Sequence, residues 1–268
     1  NVRIMDGFFH DTFIHIGGGG SEESDSSQIV AEQYSIQDSR FVMNRIRLLN
    51  VSAPFTIVRT EFHEGGRRGV SMTGATGAVF IGECLLRNTG MELNNTPGMR
   101  EDTNDQIPNP DNLTRPLITN SLLFESSSVA VECTESEVDL VNCTITDNDL
   151  AFNLTNPESS MQLRNCIVVF NSELFRGSPE DFDVRFSLAD DPLPGEGNVF
   201  ALDAGFVAPS HYDYRLQEDS PAIDAAEAVN WLHEDFEGNP RPLGAGYDIG
   251  AYEFVPPGTA VQNWMRYY

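Results

Sequence analysis

Between Val129 and Asn171 one arrangement of side chains occurs twice. Two runs with apolar residues at alternate positions, Val129/Val131/Cys133 and Val138/Leu140, lead to Asn142, and a third run, Cys143/Ile145, ends at Asn148. The second copy reads Phe152/Leu154, Met161/Leu163, Asn165, Cys166/Val168 and Asn171, which places Cys143 and Cys166 23 residues apart. Alternation is the signature of a strand, whose successive side chains point to opposite faces. A unit of three short strands cannot bury its own inner face, so it must stack on its copies, equivalent residues lying about 4.8 Å apart. The chain is therefore expected to be all-β, a right-handed parallel β-helix with three short strands per coil and a C-terminal capping segment.

The asparagines fix the register. Alternation breaks at Asn142, between the inward positions Leu140 and Cys143. A one-residue break of parity turns the chain sharply, and asparagine tolerates the left-handed backbone such a bend needs. Counting back gives Asn120 and Ser121, then Glu83 and Cys84. The expected bend column is Glu83, Asn120, Asn142, Asn165. Beside it run two inner columns, Cys84/Ser121/Cys143/Cys166 and Leu86/Leu123/Ile145/Val168. The register is read from Val70 onward. Earlier, Phe41–Asn50 and Phe55–Phe62 are strand-like but too close for a full coil, and a bend at Asn44 would turn Arg45 inward. Cys84 and Ser121 are separated by 37 residues because Asn94–Pro116 is inserted. Loops of that length inside a compact domain are functional or unstructured. Glu101, Asp102, Asp105 and Asp111 there read first as a plain solvated loop, so no cofactor is expected; the alternative is that they hold calcium, although no EF-hand order is present.

Composition narrows the partners. The formal charge is -25, and all 16 basic residues are arginine. Such a surface repels nucleic acid and anionic membrane. No run of 18 apolar residues is present, so no membrane-spanning helix is expected. The chain opens at Asn1 without a charged-plus-apolar leader, which reads as a mature or excised piece. Cys84, Cys143 and Cys166 in one inner column read as buried thiols, and spacing alone leaves their oxidation open. The five histidines are scattered and no pattern suggests zinc.

After Asn171 the pattern changes. Phe182–Ala189 reads as one more strand, Ser220–Ala226 as a short helix with Ser220 at its cap and Ile223 buried, and Asp248–Phe254 as a closing strand. The set Asp213-Tyr214-Arg215-Leu216, Ser220-Pro221-Ala222-Ile223-Asp224-Ala225, Gly238-Asn239-Pro240-Arg241-Pro242 and Asp248-Ile249-Gly250-Ala251-Tyr252-Glu253 resembles the C-terminal module of secreted bacterial parallel β-helix proteins of the pectin-lyase-fold, choice-of-anchor type. That resemblance implies the fold and an extracellular or cell-surface location, and it implies little about activity. The expected division is coils over 1–190, a cap continuous with them over 191–255, and an aromatic tail over 256–268.

In similar β-helix enzymes the active site lies on the outer face of the first strand of each coil. Here that face is expected to carry Ser71, Glu92, Ala130, Glu132 and Asn153. No aspartate cluster and no arginine falls in this column, and the chain has no lysine. Glu92 and Glu132, about 8 Å apart on a diagonal, would suit an inverting carboxylate pair. Glutamate on a strand face is more often a solvated charge. The leading expectation is thus a non-catalytic extracellular β-helix for adhesion, glycan contact or self-assembly. The alternative is a polysaccharide lyase or glycoside hydrolase using Glu92 and Glu132. Sequons occur at Asn50, Asn94, Asn112, Asn142 and Asn153. Partners expected are polysaccharide and further copies of the chain, the latter through an open first coil or the tail Ala260–Tyr268, whose Trp264, Met265, Arg266, Tyr267 and Tyr268 are interface-type residues.

Overall fold

The computed structural model describes residues 2–10, 13–17, 33–43, 45–96, 113 and 115–259. Its strands recur in a cycle of three. The first strands of each cycle form an eight-stranded parallel sheet: β1 (Val2–Met5), β4 (Tyr34–Gln37), β7 (Phe55–Val58), β9 (Val79–Gly82), β11 (Leu117–Thr119), β14 (Glu137–Val141), β17 (Ser160–Arg164) and β20 (Phe182–Arg185). The second face stacks β2 (Phe8–His10), β5 (Arg40–Val42), the first halves of β8 (Glu61–Thr73) and β10 (Leu85–Asn94), β12 (Leu122–Phe124), β15 (Thr144–Thr146), β18 (Ile167–Val169), β21 (Leu188–Ala189) and β22 (Val199–Phe200). The third stacks β3 (Phe13–Gly17), β6 (Arg45–Leu49), the second halves of β8 and β10, β13 (Val129–Thr134), β16 (Leu150–Leu154) and β19 (Phe175–Arg176). Every pair among these strands is parallel. The molecule is a three-faced parallel β-helix.

Inner columns run the length of the prism. On the first face Ile4, Ile36, Ile57, Ile81, Ile118, Leu140, Leu163 and Val184 are successive register partners. On the second face Leu86, Leu123, Ile145 and Val168 stack as expected and are fully buried. Aromatic residues continue the column toward the first coil, where Phe9, Phe41 and Phe62 stack with centroids 4.8 and 5.2 Å apart. All four cysteines are buried and free. The column Cys84, Ser121, Cys143, Cys166 extends through Ser39, Thr60 and Ser187, and each hydroxyl or thiol donates to the carbonyl two residues before it.

Residues with a left-handed backbone recur at the corners between faces. Glu83, Asn120, Asn142 and Asn165 have φ of 50, 44, 51 and 55°, in the left-handed region, and Asp6, Asp38, Arg59 and Phe186 continue the column. Each corner N–H donates one coil onward, as from Asn120 to the Val141 carbonyl and from Asn142 to that of Arg164. A second corner runs through Met43, Glu64, Asn88, Glu125, Asp147 and Phe170, and a third through Asn50, Gly74, Asn95 and Glu135, all with positive φ. Inside the second corner the Asn148 side chain accepts from Ser126 N and donates to the Leu123 and Thr146 carbonyls, and Asn171 repeats the arrangement one coil on.

The corner between β5 and β6 lies at Met43 (φ 56°), and the spacing of Phe41–Asn50 and Phe55–Phe62, too short for a full coil, is that of neighbouring faces. Two local expectations differ from the structure. Phe182–Ala189 is two strands broken at Phe186. Ala130, expected outward, lies in the main core beside Val131, because the inward–outward alternation fails inside β13.

The C-terminal segment closes the end of the helix and also covers one of its sides. The end is closed by the short loop after β21, where Leu193 packs on the main core and Asn198 donates to the Val184 carbonyl. From there the chain turns back along the outside of the second face through a hairpin of β23 (Phe206–Ala208) and β24 (Asp213–Leu216). Leu122, Phe124, Ile167, Val169 and Leu188 point outward into a second core with Phe206, Tyr214, Phe236, Ile249 and Tyr252. The corner asparagines bind this segment: Asn120 Nδ2 donates to the Glu234 carbonyl, Asn142 Nδ2 to that of Asp248, and Asn165 Nδ2 to that of Glu227. Residues 220–224 form a turn capped by Ser220, with Ala222 rather than Ile223 fully buried. Residues 248–254 form no strand. They are knitted instead by a buried ion pair, Arg241 Nη1 to Glu253 Oε1 at 2.7 Å, and by Asp235 and Asp248 accepting backbone N–H groups.

Candidate functional site

The outward column of the third face reads Arg47, Ser71, Glu92, Glu132, Asn153, Arg176, each the register partner of the next. Arginine therefore does occur in this column, at both ends of the polar run. Glu92 faces Glu132 directly rather than diagonally, one strand spacing of about 4.8 Å away. Ser71 Oγ donates to Glu92 Oε2 at 2.9 Å, and Asn153 Nδ2 donates to Glu132 Oε1 at 3.1 Å. The two glutamates are only 8% and 7% exposed. Their strands lie closer together than the roughly 6.5–9.5 Å that separates the carboxyl groups of an inverting pair. Asn153, a sequon position, is committed to Glu132, and Asn142 is buried in its corner.

On the first face, outside β14, β17 and β20, a charged group lies across neighbouring coils. Arg115 Nε meets Glu137 at 3.1 Å and Arg115 Nη1 lies 3.7 Å from Asp139. Arg164 and Arg185 both bind Asp183, at 2.9 and 3.2 Å. Burial pushes the Asp139 carboxyl up to about 6, with Arg115 and Arg164 pulling the other way. Asp183 stays below the usual carboxylate range although burial opposes it, because Arg164 and Arg185 pair with it.

A concavity lies elsewhere, where the C-terminal hairpin meets the second corner. It is a groove of about 730 Å³. One wall is the left-handed corner column, Asn88, Glu125, Asp147 and Phe170, with Ser126, Ser127 and Asp149 beside it. The other is Pro209, Ser210, Tyr212 and Tyr214. A left-handed corner points its side chain out of the prism, and the stacking of coils lines those side chains up along the groove.

Contacts fix the hairpin wall. The Arg87 guanidinium lies 4.1 Å over the Tyr212 ring, donates to its hydroxyl at 2.8 Å, and donates to Glu125 at 2.9 Å. The Glu125 hydrogen bond raises the Arg87 pKa further. Tyr214 is packed edge-on against Phe124 and Phe206, and its hydroxyl donates to Asp147 Oδ2 at 3.1 Å. Burial first, and then Asp147, push the Tyr214 pKa far up, so this hydroxyl remains a neutral donor. Tyr212 itself has φ 62° and stays 40% exposed, and Phe170 is 39% exposed. Two ring faces thus border a floor of hydrogen-bond acceptors.

The sequence carried a signal for this site that the inner-column reading passed over. Asn88, Glu125, Asp147 and Phe170 recur at the same intervals of 37, 22 and 23 as Glu83, Asn120, Asn142 and Asn165. Only the hairpin wall, contributed from beyond the last coil, had no local signal. The proposed calcium ligands Glu101, Asp102, Asp105 and Asp111 lie outside the described residues, as does the tail from Ala260. Among the described residues no group of three or more His, Cys, Asp or Glu could hold a metal ion, and no helix is long and apolar enough to cross a membrane.

No family model matches the chain, and no curated protein matches it. Among solved structures, the crystal structure of pectate lyase Pel9A is similar at 9% identity and a TM-score of 0.30, over 91% of this chain and 96% of that one. At that score the likeness decides neither site nor activity. The three-faced β-helix stands on its own sheet topology.

Proposed function

We propose that this chain is an extracellular or cell-surface β-helix that contacts glycans without cleaving them. The observation that carries the reading is the groove at the second corner, where exposed faces of Tyr212 and Phe170 flank carboxylates and hydroxyls on successive coils. Sugars bind through such pairings, the ring C–H faces against an aromatic and the hydroxyls to fixed acceptors. The resemblance of the C-terminal segment to secreted choice-of-anchor β-helix modules supports the location, as does an acidic surface without lysine. Self-association is part of the same proposal: Met5 and Phe8 in the first coil are 50% and 67% exposed. Light scattering of the Phe8→Glu variant against the native chain tests it, and equal monomeric masses would remove it.

The alternative, polysaccharide cleavage by Glu92 and Glu132, draws support from their direct pairing on adjacent coils. Their burial and their hydrogen bonds to Ser71 and Asn153 weigh against it. Incubation with acidic and neutral polysaccharides, with and without Ca²⁺, separates the two readings. Binding without new reducing ends or unsaturated products is the expected result. Products that disappear in Glu132→Gln would replace this reading with the enzymatic one.

A further inference from the structure

Resting on the glycan-contact reading, the charges in the corner groove name the class of glycan. Glu125 is paired with Arg87, whereas Asp147 and Asp149 take part in no ion pair among the described residues. Asp147 already accepts from the Tyr214 and Thr146 hydroxyls, and Asp149 is exposed at the groove with both oxygens available for incoming donors. At the rim, Arg87 is occupied by the Tyr212 ring, the Tyr212 hydroxyl and Glu125. The described residues that line the groove therefore present hydrogen-bond acceptors and include no cation for a carboxylate.

We infer that the groove takes uncharged oligosaccharides and rejects polyuronates, with Tyr212 as the stacking platform and Asp149 accepting from sugar hydroxyls. A carboxylate can accept from two neighbouring hydroxyls at once, and ionised acceptors make the stronger hydrogen bonds. A uronate would bring a like charge to Asp147 and Asp149 in a recess whose walls exclude part of the solvent, and like charges brought together at an interface are a means of refusing a partner. The overall charge of -25 adds a repulsive field at longer range. Tyr212 suits the platform role because its left-handed backbone, the Arg87 stack and the Phe124 ring, 5.6 Å away, hold it in place while the residue stays 40% exposed.

Calorimetric titration of the full chain tests this with hexasaccharides of uncharged hexoses (gluco-, manno- and galacto-) and with hexagalacturonate. At least one uncharged hexasaccharide should bind and hexagalacturonate should not. Tyr212→Ala and Asp149→Asn should each weaken that binding by about tenfold, of the order of one aromatic contact or one charge-assisted hydrogen bond. Asp219→Asn, an exposed turn carboxylate away from the groove, should leave it unchanged. Melting curves check that the variants are folded. Hexagalacturonate binding as tightly as any uncharged sugar would overturn the class selection and leave the glycan reading standing. Uncharged binding unaltered in both folded groove variants would overturn the site. No binding by any sugar would overturn the glycan reading itself.

Discussion

At the corners, a single asparagine does two things that neither glycine nor glutamate does together. Asn142 holds φ at 51°, and its amide donates to the Asp248 carbonyl at 3.0 Å while its oxygen accepts from Asn165 Nδ2 at 3.1 Å. Asn142→Gly should keep the bend and lose the bonds, whereas Asn142→Ala should lose both. Each buried group left unpaired costs about 1–3 kcal/mol, and the left-handed bend adds about 1–2 kcal/mol for alanine. Denaturant titration should rank native, Gly, Ala, and an alanine variant as stable as the glycine one would show the bend to be free of strain. Within the core, Ile145 is fully buried between Leu123 and Val168, so Ile145→Ala should cost about 2–5 kcal/mol. The thiols belong to the same interior. Burial pushes Cys84 up to about 12, and all four cysteines are buried. A thiolate is the reactive form, so thiol reagents should label none of them in the native chain and all four after unfolding. Rapid labelling of one would place it outside the core.

Among the elements, the strands of the prism and the segment beside it obey different rules, and this decides what could be read from sequence. Each coil strand alternates over a repeat near 22 or 23 residues, so the Cys143 and Leu86 columns and the Asn corner were visible in the letters alone. The first coils were obscured because Met43, Arg59 and Asp38 hold corners where no asparagine marks them. The C-terminal segment has no period. Its place follows from Leu122, Phe124, Ile167, Val169 and Leu188, which sit outward in strands that a two-sided reading treats as solvent-facing. Apolar residues on both faces of a parallel strand mean both faces are covered, and that signal was present in Leu122-Leu123-Phe124 and Ile167-Val168-Val169. Of the corner groove only the corner wall was legible, since the other half is built by the returning hairpin. Deleting the chain from Ser210 should uncover this outer apolar stripe and give an aggregating product. Breaking the buried pair by Glu253→Gln should cost about 3–5 kcal/mol, because Arg241 is left buried without its carboxylate. Proteolysis should then begin within residues 205–259 while the coils survive. A Glu253→Gln chain that melts like the native one would show the segment to be held by its apolar contacts alone.

Across the whole molecule the excess of acid sets the response to pH. Burial raises Asp139 and Asp248 from 3.8 to about 6 in the fold, each against the pull of an arginine. For a carboxyl whose folded pKa lies above its unfolded one, the folded chain binds the proton more tightly between the two values. The stabilisation it brings is full below about pH 4 and is lost as pH rises through about 6. Asp183 and Asp213 act in the opposite sense. Their arginine partners hold them low, so their contribution is present above about pH 4 and fades on further acidification. General repulsion within a chain of net charge -25 also grows as carboxyls ionise, in the same direction as Asp139 and Asp248. Salt separates the two causes. At 1 M salt the screening length falls to about 3 Å, which removes most repulsion between exposed charges and leaves buried groups little affected. Stability should therefore decline from pH 4 to pH 6 at both low and high salt, less steeply at high salt, and Asp139→Asn should flatten the part that salt leaves behind. Melting temperatures across that window, in low and high salt, for the native chain and Asp139→Asn, make the measurement. A decline abolished by salt in the native chain would assign the whole effect to surface repulsion, and a stability that rises from pH 4 to pH 6 would show that burial does not raise Asp139 and Asp248 in the folded chain.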